Sequence, residues 1–471
     1  MAERERKILM VVLCFLPESI GGTELYTYHL SQELKKRGYD VAVLTGLQDL
    51  SIDRYKVIHT TFEGLRVIKV VNSFYYTRTF KDFFIDETIG RIFRDIVERE
   101  KPDIIHFQHL PFLSGNLPEI ADELKVPSVF TIHDYWYMCF RSQLIRPRFG
   151  PCPGPKGGVY CASCHDPVIP NPSVTPKFGF LSRLLRSRLV AKLNPKERLS
   201  PQMIEKIKSI LYKQPATEVT AEAPANEETI KEHVFRYEYF RRQFEFPRFV
   251  LSPSYHLKKR YEDEGYREIL HMPLGFYRTE RVKSIPFDGT LKIAYLGNIV
   301  PFKGAIVILR EIMRLRNRDG VELHIHGRPV NEIYFDEVKQ FARQFPEGKV
   351  SIHGGYRSDK EMHDILSKVH LVVFPSLWEE NYPLVVRETL LHGVPVIGSK
   401  LGGVPEAIVD GVNGFLFDPY REGDLSEKLD RVLDNPGILH EITAGARNTN
   451  IERMEDHIEK IIRIYEDAFT Q

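Results

Sequence analysis

Two distant stretches of this chain open in the same way, and that repetition limits what it can fold into. Residues 8–16 form a continuous apolar run that passes through Gly21 and Gly22 into a helical pattern over 23–37, which stops at Gly38 before a second apolar run at 41–45. Residues 291–296 pass through the turn 297–304 into a helical stretch at 305–317 and then a strand pattern at 322–326. Short apolar runs of this kind read as strands buried on both faces, and strand, helix, strand units build parallel sheets. The first series continues with strands expected at 65–70, 104–108 and 128–133 and a helix at 84–100. The second continues with strands at 350–353, 371–374, 394–398 and 415–417. The fold class is therefore expected to be α/β, with two Rossmann-like doubly wound domains facing a central cleft. In open parallel sheets ligands sit beyond the carboxyl ends of the strands, so the loops there are where chemistry is sought.

Length fits that reading, since 471 residues exceed one ordinary core and suit two or three. The expected division is 1–275 for an N-terminal domain, 276–450 for a C-terminal domain, and 451–471 for a helix packing back toward the first. Residues 139–246 fit neither series and read as an insertion, after which a strand at 249–252 resumes the first domain. Lys plus Arg number 65 against 64 acids, a net charge of +1, so no global field draws the chain to nucleic acid and no such partner is expected. The run 8–16 is too short to span a bilayer and no small-residue cleavage site follows it. The expected location is the cytoplasm.

The candidate site residues stand at predicted strand ends. Glu380 and Glu388 flank seven residues in which Pro383 can open a helix that Gly393 closes. Carboxylates accept hydrogen bonds from paired hydroxyls, as on a sugar or ribose, and a helix N-terminus offers N–H groups to phosphate oxygens. His133 closes the strand at 128–133 in the run His133, Asp134, Tyr135, Trp136, while His106 and His109 lie near the end of the strand before it. Lys303 lies in the turn 297–304.

The Glu-x7-Glu segment, the run 393–398 and the run 402–414, which holds Gly402, Gly403, Pro405, Glu406 and Gly414, together resemble family 4 of the retaining glycosyltransferases. The resemblance implies the GT-B fold and transfer of a sugar from a nucleotide sugar to a hydroxyl acceptor, with configuration kept and neither catalytic metal nor cofactor required. By carry-over, Glu388 holds the donor's ribose hydroxyls and Glu380 those of the transferred sugar. Asn381, Tyr382, Pro383 and Leu384 border that sugar and the diphosphate, Gly21 and Gly22 let backbone approach donor and acceptor, and His133 contacts the sugar near its reacting carbon. His109 is assigned to the acceptor region. The family turn usually carries an Arg and a Lys on the phosphates; here Asn298 stands at the Arg position, with Arg328 or Arg387 as substitute beside Lys303. The donor is expected to be a UDP- or GDP-sugar and the acceptor a saccharide or a lipid-linked one. A non-catalytic nucleotide-sugar or carbohydrate binder, or another two-Rossmann enzyme such as an epimerase, is the alternative.

Two features belong to the insertion. Cys139, Cys152, Cys161 and Cys164 fall within one Pro/Gly-rich loop and match the ligand count of a structural zinc site, with His165 able to replace one ligand. Reduced thiols, a disulfide pair and iron–sulfur ligation stay open beside that reading. Cys14 reads as a core residue of the first strand. Residues 180–193 carry four cations, no acid and leucines at helical spacing. They suit either an anionic membrane surface on the inner face or packing on their own domain, and 234–242 repeats the aromatic and basic theme.

Overall fold

A computed structural model describes residues 5–49, 51–73, 79–146, 150–164, 227–356 and 358–470. The first series runs β1 (Lys7–Val12), α1 (Gly22–Lys36), β2 (Asp40–Leu47), β3 (Val57–Phe62), β4 (Leu65–Val71), α2 (Glu87–Glu100), β5 (Ile104–Phe107), α3 (Leu117–Glu123) and β6 (Ser128–Thr131). After α4 (Glu227–Gln243) it continues with β7 (Phe249–Ser252), α5 (Tyr255–Asp263) and β8 (Leu270–His271). The second series runs β9 (Leu291–Leu296), α6 (Ala305–Met313), β10 (Val321–His326), α7 (Glu332–Ala342), β11 (Val350–His353), α8 (Asp359–Leu366), β12 (Leu371–Phe374) and α9 (Leu384–Leu391). It ends with β13 (Val396–Ser399), β14 (Gly414–Phe417), α10 (Asp424–Asp434), α11 (Gly437–Arg447) and α12 (Met454–Thr470).

The strand orders are β3-β4-β2-β1-β5-β6-β7-β8 and β11-β10-β9-β12-β13-β14. Every pairing is parallel except β3 with β4. In the first sheet the order reverses at β1, which lies between β2 and β5; in the second it reverses at β9, between β10 and β12. A crevice opens beyond the carboxyl end of the strand where the order reverses. The loops leaving β1 and β9, which carry Gly21, Gly22 and Lys303, are thus set at the two crevices by topology.

Alternation along the strands divides each core in two. Leu9 and Val11 enter one cluster while Ile8, Met10 and Val12 enter another on the opposite face. On β9, Leu291, Ile293 and Tyr295 face one way and Ala294 and Leu296 the other. α12 lies on the first sheet, where Met454, Ile458, Ile461 and Tyr465 join the cluster of Met10 and Leu30.

Some local readings change. β3 was not expected, because an edge strand whose middle residues are exposed carries no apolar run. β6 ends at Thr131, which puts His133 on the following loop. Cys14 lies past β1, half-buried rather than in the strand core, and burial pushes its thiol up to about 11. Within the insertion, α4 turns Tyr237 and Phe240 into the first domain's core and leaves Phe235 exposed. Residues 180–193 and His165 lie outside the described residues. Among the described residues no helix is long and apolar enough to cross a membrane.

Candidate active site

The loop between β12 and α9 is shaped by its own glycine partners. Gly402 has φ +59, and a Cβ there would come within 2.2 Å of the Glu380 carbonyl; the Gly403 N–H donates to that carbonyl at 2.5 Å. Only a residue without a side chain permits this approach at that backbone angle. The Glu380 carboxylate, 5% exposed, is held at Oε1 by Lys303 Nζ (2.5 Å), the Ser376 hydroxyl (2.9 Å) and the Trp378 indole N–H (2.7 Å). A buried charge is tolerable when paired and hydrogen-bonded, as here. α9 then starts behind Pro383 with no side chain capping it, which leaves first-turn N–H groups available to an anion. Glu388 lies on its second turn, where burial and then the nearby Asp359 push the carboxyl up to about 7.

From the first sheet, His133 places its Nε2 2.8 Å from Gln108 Oε1, and its ring packs 5.5 Å from that of Tyr26 on α1. Burial, with His109 adding to it, lowers His133 to about 3, so the imidazole is neutral. His109 is buried and sits 3.2 Å from Asp134.

The halves meet at this place. Asn381 Nδ2 donates to the His133 carbonyl at 2.8 Å, while its Oδ1 is buried with no hydrogen-bond partner among the described residues. The Tyr382 hydroxyl donates to the Leu274 carbonyl at 3.2 Å. A Cβ on Gly22 would come 3.1 Å from Leu384, so α1 and α9 begin face to face. Glu406 receives the Tyr255 and His256 N–H groups at the start of α5 (3.1 and 2.7 Å). Glu379 takes His256 Nε2 at 2.9 Å and lies 3.2 Å from Arg260. Burial alone would raise Glu379, and these two partners outweigh it and hold the carboxyl below its ordinary value.

The sequence runs on either side of this junction match known families. Residues 20–154 match the family model described as Glycosyltransferase Family 4, and residues 277–449 match that of Glycosyl transferases group 1. The chain belongs to glycosyltransferase family 4. It is 30% identical over 218 residues to a lipopolysaccharide 1,2-N-acetylglucosaminetransferase of Salmonella typhimurium, a match covering 42% of this chain and 56% of that protein. It is 29% identical over 167 residues to a D-inositol 3-phosphate glycosyltransferase of Mycolicibacterium smegmatis, covering 35% of this chain and 37% of the relative. The matches thus span between about a third and a little over half of these relatives. Among solved structures, a sucrose-phosphate synthase of Thermosynechococcus elongatus superposes with TM-score 0.63 at 15% identity, over 99% of this chain and 100% of that one. The Anabaena HepE protein in complex with UDP and glucose does so with TM-score 0.59 at 14% identity, over 98% and 100%. These likenesses establish the GT-B architecture.

In this family 4 chain the remaining candidates fall into place unevenly. Gly21 and Gly22 precede and begin α1, and a Cβ on Gly21 would strike the Glu24 carboxylate at 2.5 Å. Asn298 is exposed and its carbonyl accepts from Tyr295. Arg328 is exposed beside the 297–303 turn, its carbonyl accepting from the Ile299 N–H at 2.9 Å. Arg387 is buried, with its guanidinium 3.5 Å from the centre of the Tyr382 ring. That position ties it to the junction rather than to the β9 turn. Ser376, Trp378, Gln108, Glu379 and Glu406 escaped sequence reasoning as functional positions. Glu406 alone carried a signal, since it stands inside the 402–414 run.

Cys139, Cys152, Cys161 and Cys164 line one cavity of about 210 Å³, and none of them forms a disulfide. A formed tetrahedral centre is not what the structure holds: among the described residues, no three His, Cys, Asp or Glu are gathered as metal ligands. Burial raises the Cys152 and Cys161 thiols, so as free thiols they stay protonated.

Proposed function

We propose that the chain is a retaining glycosyltransferase that moves a sugar from a nucleotide-sugar donor to a hydroxyl acceptor. One observation carries this: Glu380, pinned by Lys303, Ser376 and Trp378, lies next in sequence to Asn381, which is tied to the carbonyl of His133, so both sheets deliver polar groups to one junction. The Lys303 ammonium and the uncapped start of α9 receive the diphosphate; Arg328 is the added cation where Asn298 leaves one missing. Glu388 accepts the ribose hydroxyls, and Glu380, with the unpartnered Asn381 Oδ1, accepts those of the sugar. Tyr382, Pro383 and Leu384 shape that wall, and Gly21 and Gly22 leave room opposite. His133, neutral, hydrogen-bonds the sugar without adding positive charge beside a developing oxocarbenium ion. The bond from the anomeric carbon to the diphosphate breaks with its electron pair leaving on the phosphate. The acceptor oxygen bonds to that carbon from the same face and its proton passes to the departing phosphate oxygen.

UDP-sugars are the donors favoured for the first trials, because the HepE structure holds UDP. Thermal unfolding with UDP-, GDP- and ADP-sugars tests the reading: one donor should raise the transition with concentration and release its nucleoside diphosphate on incubation. No shift and no release with any of them would reject it. NMR of the product's anomeric signal checks retention, and mass spectrometry of wild type and Glu380→Gln checks that no glycosyl adduct forms on Glu380. Domain limits of 1–275, 276–450 and 451–471 belong to the same reading, as do a structural zinc held by the four thiols once turned together and ionised, and contact with an anionic membrane surface. Metal analysis of freshly purified reduced protein and flotation with anionic vesicles test the last two.

A further inference from the structure

His133 is held from behind by a helix that belongs, in sequence, to the far end of the chain. On β5 and the residue after it, His106 and Gln108 share one face of the sheet; Thr131 and His133 share the same face at the end of β6. These four form two cross-strand pairs, His106 Nε2 with Thr131 Oγ1 at 2.7 Å and His133 Nε2 with Gln108 Oε1 at 2.8 Å. α12 supplies a second layer above them. Tyr465 is hydrogen-bonded to His106 Nδ1 at 2.7 Å, and His457 Nε2 to the Tyr26 hydroxyl at 2.8 Å. The Tyr26 ring in turn packs against both imidazoles, 5.5 Å from His133 and 5.5 Å from His457. All these groups except His133 are buried, and Tyr26 joins α12 to the site through its hydroxyl on His457 and its ring on the His133 imidazole.

The two bonds from α12 differ in one respect. The Tyr465 bond ends on His106, two residues back along the strand from the group that grips His133. The His457 bond ends on the ring that His133 itself packs against. A phenol hydroxyl hydrogen-bonds best close to its ring plane, so a bond to a fixed partner favours one ring plane over others; without that bond packing alone sets the plane. Buried hydrogen-bond networks fix geometry in this way, and catalytic groups displaced by fractions of an ångström lose rate rather than affinity.

We infer that His457 is a positioning residue of the active site, acting through the Tyr26 hydroxyl to set the plane and hence the hydrogen-bonding direction of His133. The inference rests on the transferase reading, and its test separates the two. Tyr26→Phe and His457→Leu should each lower kcat about tenfold with donor KM within twofold. His457→Gln, whose amide can still meet the hydroxyl, should recover to within threefold of wild type. Tyr465→Phe removes the matched bond from the same helix and should lower thermal stability comparably while leaving kcat within twofold. Equal kcat losses in Tyr26→Phe and Tyr465→Phe, or no loss in Tyr26→Phe, would overturn the inference. So would a His457→Gln no more active than His457→Leu. Nitrogen-15 histidine spectra supply a readout that needs no turnover: the His133 imidazole signals, assigned by their loss in His133→Gln, should move in Tyr26→Phe and stay in Tyr465→Phe. Unmoved His133 signals in Tyr26→Phe defeat the positioning role, whereas a wild type inactive on every donor defeats the transferase reading.

Discussion

The two halves of the cleft reach their junction with opposite chemistry. On the first sheet the buried imidazoles are neutral: burial, ahead of neighbouring imidazoles, lowers both His106 and His133 to about 3, and each is satisfied by an uncharged partner. On the second sheet they are charged, with Lys303 and Glu380 paired and Glu388 poised near neutrality. A neutral imidazole can be buried with one good hydrogen bond, whereas a buried carboxylate needs a cation and several donors. The buried imidazoles can therefore be packed tightly, whereas Glu380 must carry a scaffold of Ser376, Trp378, Gly402 and Gly403 around it. That asymmetry suits a ligand that is a diphosphate at one end and an uncharged sugar at the other.

The contrast can be broken most directly by comparing charge removal on the two sides. Lys303→Met should reduce turnover on the order of a thousandfold, because in the proposed reaction the leaving diphosphate would lose its cation and Glu380 is left buried without one. His133→Leu should cost on the order of tenfold to a hundredfold. Steady-state kinetics on both variants check this, and a larger loss at His133 would reverse the division of labour. Gly402→Ala is next: the added methyl would meet the Glu380 backbone at a positive φ. Denaturant unfolding should show a loss of ~3 kcal/mol, with turnover falling alongside it.

The pH response sharpens the same comparison. Glu388 titrates at about 7 in the folded protein against an ordinary 4.5, so the native state keeps a proton that the unfolded chain releases. Its contribution to stability is whole below about pH 4.5 and is lost as pH rises through 7, by up to ~3 kcal/mol. The buried histidines work in the opposite sense, since their lowered values cost stability as pH falls below their ordinary 6.5. Glu388→Gln should therefore remove the decline in stability that Glu388 causes between about pH 4.5 and 7 and leave the slope above pH 7 unchanged, as measured by unfolding midpoints from pH 5 to 8. Wild-type donor affinity should rise through pH 7 as the carboxylate forms. The smallest effect is expected at the junction itself. Glu406→Gln should weaken the hold on the start of α5 by ~1 kcal/mol, visible in unfolding but hardly in kcat.

How much of this was legible in the residues varies with range. Glu380, His133 and Lys303 were found because each follows an apolar run, and a parallel sheet sends such positions to one edge. The order of the strands, the edge strand β3 and the burial of Tyr237 and Phe240 were not, since a run of sequence does not say what packs on it. Arg387 shows the limit plainly. It stands one residue from Glu388 and reads as a candidate phosphate cation, yet its guanidinium is spent on the Tyr382 ring.

By itself the sequence determined what is periodic or local: two strand–glycine–helix openings, the glycines that admit a close backbone, and carboxylates near a helix start. Tertiary structure decided which of those residues meet. The bond from Asn381 to His133 spans 248 positions and that from Tyr26 to His457 spans 431. Partners so far apart are chosen by the stacking of sheets and helices in space, and no spacing along the chain encodes them.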